Sequence, residues 1–318
     1  MKFLTHSIAA LAATFALTAH GQNISIATGG TGGVYYPLGG GMAAVLSKYV
    51  NGMQATAEVT GGSVANLQLI STGKPYIALS MTDAALDALK GEDKFKDKGP
   101  VPVRTLMILY PNRMHVVTIE GTGINTMKDL KGKRVSTGSG GSATEVMAFR
   151  VIEAAGLDKD RDLRRERLGV AESVAALKDR KIDAFFWVGG LPTAAVTDLA
   201  NSPGVKIKMI DHADVVPAMN KKYGNLYVKD TITKDVYKGM NKDNAQATVM
   251  NILVSHEKLD DKTAYNIVKA IFDHRDELVR VHKEAENIKL ENQKKEASPL
   301  PWHAGAVKYF TEKGLKLQ

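Results

Sequence analysis

The chain has 318 residues, 44% of them hydrophobic, so it has ample material for cores and a length that suits two lobes. It contains no cysteine, which excludes a disulfide framework and a lipid-modified cysteine. The net charge of +8 comes from bases scattered among acids, as in Lys94-Phe-Lys-Asp-Lys98 and Arg161-Asp-Leu-Arg-Arg-Glu-Arg167, with no aromatic-interleaved basic stripe, which argues against nucleic acid as a partner.

Lys2 precedes an apolar run from Ile8 to Leu17 and then Thr-Ala-His-Gly, which reads as a secretory signal peptide over residues 1–21, cut after Ala19 or Gly21. The run is short for a membrane anchor. An exported bacterial chain without a lipid tether is expected in the periplasm.

Ile24-Ser-Ile-Ala27 alternates as a strand and runs into the glycine-rich turn Thr28-Gly-Gly-Thr-Gly-Gly33. A helix is expected from Tyr35 through Tyr49. Glycines let the backbone approach a ligand, and the helix behind them offers unpaired N–H groups and a positive dipole end. Strand, glycine turn and helix start together suit an anion. A turn that serves only chain reversal is the plain alternative. The pattern is neither G-x-G-x-x-G, since Tyr35 holds the last position, nor a Walker loop.

Ala55–Thr60 reads as the next strand, with Ser63 capping a helix through Ile70. Pro75–Ser80 is a third strand, followed by a helix that starts at Met81-Thr-Asp83. Strand and helix alternate, so a parallel sheet is expected, with ligands beyond the carboxyl ends of its strands. Val103–Tyr110 reads as a strand broken at Pro111-Asn112, and Met114–Ile119 as a new one, with Tyr110 to Arg113 crossing between lobes. A second lobe then repeats the pattern: Ser136-Thr-Gly-Ser-Gly-Gly-Ser-Ala-Thr-Glu145 is another glycine turn, and its helix ends at Gly156. Glu166–Val170 reads as a strand and Glu172–Asp179 as a helix. Ile182–Val188 is a central strand that ends at Gly189-Gly-Leu-Pro192, where Pro192 suits a first helical turn. Val205–Ile210 is a further strand. Signals weaken over 211–244. Ala247–Val254 reads as the returning strand, with a long helix from Ala264 past Leu278 and a closing helix through Phe310.

Catalytic patterns are scarce: there is no G-x-S-x-G, no H-E-x-x-H and no cysteine nucleophile. The histidines from His115 to His303 lack metal-ligand spacing and read as surface or packing residues. Gly138 to Ala143 matches G-x-G-x-x-A but lacks the acid a dinucleotide fold wants. No arginine lies in either glycine turn; Arg113 and Arg150 are the nearby candidates for a carboxylate clamp.

The runs I-A-T-G-G-T-G-G-V-Y-Y-P-L-G-G-G, E-V-T-G-G-S-V-A-N-L, D-L-K-G-K-R-V-S-T-G-S-G-G-S-A-T-E and D-A-F-F-W-V-G-G-L-P together resemble the TAXI family of solute receptors, the binding subunits of tripartite ATP-independent periplasmic (TRAP) transporters. The resemblance implies an α/β, type II-like periplasmic binding protein fold, two lobes with a ligand cleft between them. Lobe I would comprise 22–112 plus 249–318 and lobe II 113–248, with the second hinge somewhere between 210 and 250. It further implies a monomer that binds a glutamate- or 2-oxoglutarate-like carboxylate, uses no cofactor, and works with a membrane permease driven by an ion gradient. Matching positions imply Thr28, Gly30, Thr31, Tyr35, Ser63, Ser139, Gly140 and Ser142 as ligand contacts. Strand-end placement adds Ser80, Tyr110, Trp187 and Gly189. A receptor presenting its ligand to a membrane sensor kinase, and an enzyme on the same fold, remain the alternatives.

Overall fold

A computed structural model of the chain describes residues 22–317. The expected signal peptide, over 1–21, lies outside the described residues. Among these, no helix is long and apolar enough to cross a membrane.

Ten strands form one sheet with helices on both faces. In chain order they are β1 (Gln22–Ala27), β2 (Met53–Glu58), β3 (Tyr76–Met81), β4 (Val103–Ile119), β5 (Arg134–Ser136), β6 (Arg164–Glu166), β7 (Ala184–Gly189), β8 (Ile207–Met209), β9 (Val228–Ile232) and β10 (Asn244–His256). The main path is β2-β1-β3-β10-β4-β7-β5-β6, with β8 on β4 and β9 on β10. β1, β2 and β3 pair in parallel, as do β5, β6 and β7. Between these two blocks lie β4 and β10, which pair antiparallel along their length.

β4 corrects the expected break at Pro111-Asn112. It is a single 17-residue strand. Proline cannot donate to a ladder and is tolerated in a strand at an irregularity; Pro111 stands opposite Met250, beside a register shift in β10. Three other expectations also shift. The helix from Ala264 is two, α8 (Asp261–Asp273) and α9 (Arg275–Val281), divided at His274. Residues 211–244 are structured, with a helix, α7 (Val216–Tyr223), followed by β9. The strand expected over Glu166–Val170 is confined to Arg164–Glu166, leaving Arg167–Gly169 as loop.

The remaining helices are α1 (Tyr35–Tyr49), α2 (Ser63–Ile70), α3 (Thr82–Lys90), α4 (Ala143–Ala154), α5 (Val170–Lys178), α6 (Ala194–Asn201) and α10 (Ala304–Glu312). Pro192 lies before α6, in a cis peptide bond with Leu191, not in its first turn. The helix starting at Ser63 has Gly62 at its cap, so Ser63 does not hold that position, while Met81 caps the helix starting at Thr82, with Asp83 in its first turn. One face of the sheet carries an apolar layer that runs unbroken from α2 and α3 to α4 and α7, through Leu67, Ala85, Met147 and Met219. On the other face two separate cores form: one under α1, α8 and α10, the other under α5 and α6.

Candidate functional site

The carboxyl ends of six strands converge on one cavity of about 420 Å³. Residues after β1 (Gly29 to Tyr35), β2 (Val59 to Ser63), β5 (Ser139 and Ser142 to Thr144) and β6 (Arg167 to Glu172) line it, as do Met81 at the end of β3 and Trp187 to Gly189 of β7. Each of the first four segments leads directly into a helix, so α1, α2, α4 and α5 all point their N-termini at this space. Parallel β-α units produce this convergence, because every strand ends on the same rim.

The electrostatics follow from these starts. α1 and α2 have no acid in the first turn. In α4 the first-turn acid is Glu145, buried and paired with Arg167 (2.8 Å), Arg165 (3.3 Å) and Lys94 (3.3 Å). Glu172, in α5, stands exposed at the rim. Arg167 is the one lysine or arginine in the lining, and it is exposed too.

Nine of the expected contacts come together here: Gly30, Thr31, Tyr35, Ser63, Tyr110, Ser139, Ser142, Trp187 and Gly189. Three do not line the cavity. Thr28 is buried, its hydroxyl donating to the Glu58 carbonyl (2.6 Å) and its methyl packed under α1, where a Cβ on Gly39 would lie 2.4 Å away. Ser80 turns back to the Met81 carbonyl at 3.1 Å. Gly140 meets the opposite rim instead, its carbonyl oxygen 2.8 Å from where a Cβ on Gly61 would stand. Neither candidate clamp reaches the cavity. Arg113 is held by Asp230 (2.9 Å) and Glu284 (3.2 Å), while Arg150 is buried among Asp83, Asp87 and Tyr227. Burial pushes the Asp87 carboxyl up to about 6, with Arg150 opposing that shift.

Two devices set the geometry of the walls. Asn66 is fully buried and donates to the carbonyls of Thr28 (2.7 Å), Leu79 (2.8 Å) and Ala27 (3.2 Å) while accepting from Thr60 (2.6 Å). It thereby ties the ends of β1, β2 and β3 into one rim. On the other side the Trp187 indole donates to Thr193 Oγ1 (2.9 Å), which donates to the Gly190 carbonyl (2.8 Å). Its ring lies across two glycines: a Cβ on Gly33 would stand 2.8 Å from the ring, and one on Gly189 2.2 Å from Nε1. The Thr193 N–H donates to Tyr237 Oη (2.9 Å), which lies 3.0 Å from His115 Nε2. Burial drives the His115 pKa down to about 4, so the ring is neutral; Nδ1–H donates to the Arg113 carbonyl (2.8 Å) and Nε2 accepts a hydrogen bond from the Tyr237 hydroxyl. His115 and His212 are buried packing residues, in line with the reading of the histidines.

Hydrogen bonds join the rims across the cavity. Ser139 Oγ donates to the Gly61 carbonyl (3.1 Å), the Ala65 N–H to Gly141 (3.0 Å) and the Ala195 N–H to Gly32 (3.3 Å). Beside them the Leu191 N–H donates to Glu284 Oε1 at 2.6 Å.

Sequence reasoning missed Asn112, Arg167 and Glu172 as lining residues. Asn112 was legible only as a crossing point. Arg167 was hidden in a charge run that read as solvated surface.

Residues 26–314 match the NMT1-like family, and the chain belongs to that family. Solved structures share the fold at low identity. One is a protein from Bordetella bronchiseptica RB50, 20% identical, with a TM-score of 0.54 over 91% of this chain and 88% of that one. Another, described as a periplasmic transporter, is 14% identical, with a TM-score of 0.52 over 92% and 91%. MatC from Rhodopseudomonas palustris with bound malate is 10% identical, with a TM-score of 0.54 over 83% and 88%. The fold is therefore α/β and periplasmic binding protein type II-like.

Proposed function

We propose that this member of the NMT1-like family is a periplasmic receptor that captures a small glutamate- or 2-oxoglutarate-like carboxylate between two lobes and delivers it to a TRAP-type membrane permease. The observation that carries this reading is the convergence of four helix N-termini, two from each half of the sheet, on one cavity. N–H groups and dipole ends so placed favour an anion, and Arg167 adds a cation at the mouth. MatC, of the same fold, holds a ligand of that class.

In this proposal lobe I comprises 22–112 plus 249–318 and lobe II comprises 113–248. The strands β4 and β10 pass between them where Asn112 pairs with Val249. An open receptor first takes the carboxylate on one rim; closure then brings in the other rim's donors. Three or four charge-assisted hydrogen bonds, about 1.5–3 kcal/mol each, are enough for micromolar affinity after the costs of closure. No reaction is assigned to the site.

The test is a thermal-shift screen of the chain from residue 22 against dicarboxylates, amino acids, sugars and nucleotides. A ligand that binds only the native state raises the melting temperature. The expected result is a rise with glutamate, 2-oxoglutarate or a close relative. A rise with sugars or nucleotides and none with any carboxylate would overturn the ligand class.

A further inference from the structure

The floor of the cavity carries polar atoms that the protein leaves without partners. Asn112 and Tyr110, both on β4 and both lining the cavity, are 2% and 0% exposed. Asn112 Nδ2 donates to Asn251 Oδ1 at 3.0 Å, and the Tyr35 hydroxyl donates to the same oxygen at 2.5 Å. The Asn112 nitrogen faces Asn251 and its oxygen faces away, while Asn251 Nδ2 is a further buried donor without a partner among the described residues. That oxygen, buried, has no hydrogen-bond partner among the described residues; neither has the Tyr110 hydroxyl. Buried polar groups are normally paired, and leaving one bare is costly. The glycine turns and helix starts supply donors; Asn112, which lines the same space, carries an acceptor in its buried Oδ1.

We propose that Asn112 is a specificity-determining residue whose carboxamide oxygen accepts a hydrogen bond from the ligand, so that the site selects carboxylates bearing an N–H or O–H group over those bearing a carbonyl or only hydrogens at that position. This rests on the carboxylate reading and narrows it to amino and hydroxy acids. A keto oxygen in that place would set two acceptors against each other. A methylene would leave Asn112 Oδ1 as bare as it stands now. Sites built around a buried polar group discriminate strongly against analogues that fail to pair it. The Tyr110 hydroxyl, which can donate or accept, is available to the same substituent.

The experiment is calorimetric titration with four- and five-carbon dicarboxylates that differ only at C2: amino, hydroxy, oxo and unsubstituted. On the chain length that binds best, the amino or hydroxy acid is expected to bind at least about 10-fold tighter than the oxo and unsubstituted acids. Asn112→Ala should bring these ratios close to one while weak binding of the unsubstituted acid persists. Equal affinities in the unaltered protein, or a preference for the oxo acid, would overturn the proposal without any variant. Ratios preserved in Asn112→Ala would overturn the role of Asn112. If no carboxylate binds at all, the carboxylate reading itself falls, and this inference with it. Binding without discrimination removes this inference alone.

Discussion

Gly33 has no Cβ because Trp187 occupies its place. The indole ring would stand 2.8 Å from a methyl group there, closer than real contacts allow, and the ring is itself held by Thr193. Gly33→Ala must therefore displace the wall of the cavity or the start of α1. Such overpacking costs typically about 1–3 kcal/mol. Since Gly33 and Trp187 come from opposite halves of the sheet, most of that strain falls on the closed arrangement. The expected outcome is a carboxylate affinity lowered by about 10-fold or more, with a melting temperature without ligand close to that of the unaltered protein; titration calorimetry and thermal unfolding check both. Other residues show where reading the sequence stops. Arg150 and Arg113 looked available for a clamp, yet each is taken by acids far away in the chain: Asp87 at 63 residues' separation, Asp230 at 117 and Glu284 at 171. No local pattern carries such pairings. Arg167, by contrast, reached the cavity because β6 stops at Glu166 and frees the following residues as loop.

Elements whose signals are local were the legible ones. β1, its glycine turn and α1 follow one another within 28 residues, and α1 runs over Tyr35–Tyr49 as its apolar spacing indicates. β4 was not legible as one strand, because proline breaks most strands and only pairing with β10, more than a hundred residues later, carries it past Pro111. The C-terminal packing depends on one small residue. α10 lies against α8 so closely that a Cβ on Gly305 would stand 2.1 Å from the Asp261 carbonyl and 2.9 Å from the Ala264 side chain. Backbone at that distance cannot give way as a flexible side chain does. Gly305→Ala should destabilise the protein by about 1–3 kcal/mol or more, despite alanine's better helix propensity. Equilibrium unfolding in urea measures this, and an unchanged or raised stability would contradict the packing described.

At the scale of the molecule, the sheet joins two parallel blocks through two long strands, and an apolar layer from α2 and α3 to α4 and α7 spans both. Both β4 and β10 pass from one block to the other near the Asn112–Val249 pair. The alternation of strands and helices announced both blocks in the sequence. It left the second crossing open, because the weak signals over 211–244 concealed α7, β9 and the start of β10. Hydrogen bonds from Ser139 to Gly61, Ala65 to Gly141 and Ala195 to Gly32 hold the two rims together in the structure described. Few bonds of this kind, each worth about 1 kcal/mol net, add to the apolar layer shared by the two halves, and in the proposed capture ligand is expected to supply the balance. Small-angle X-ray scattering of the chain from residue 22, with and without a saturating carboxylate, tests capture by closure most directly. The account predicts a larger radius of gyration without ligand, and with ligand a scattering curve that matches the closed structure described. Identical curves in both conditions, for an acid shown by calorimetry to bind, would contradict it.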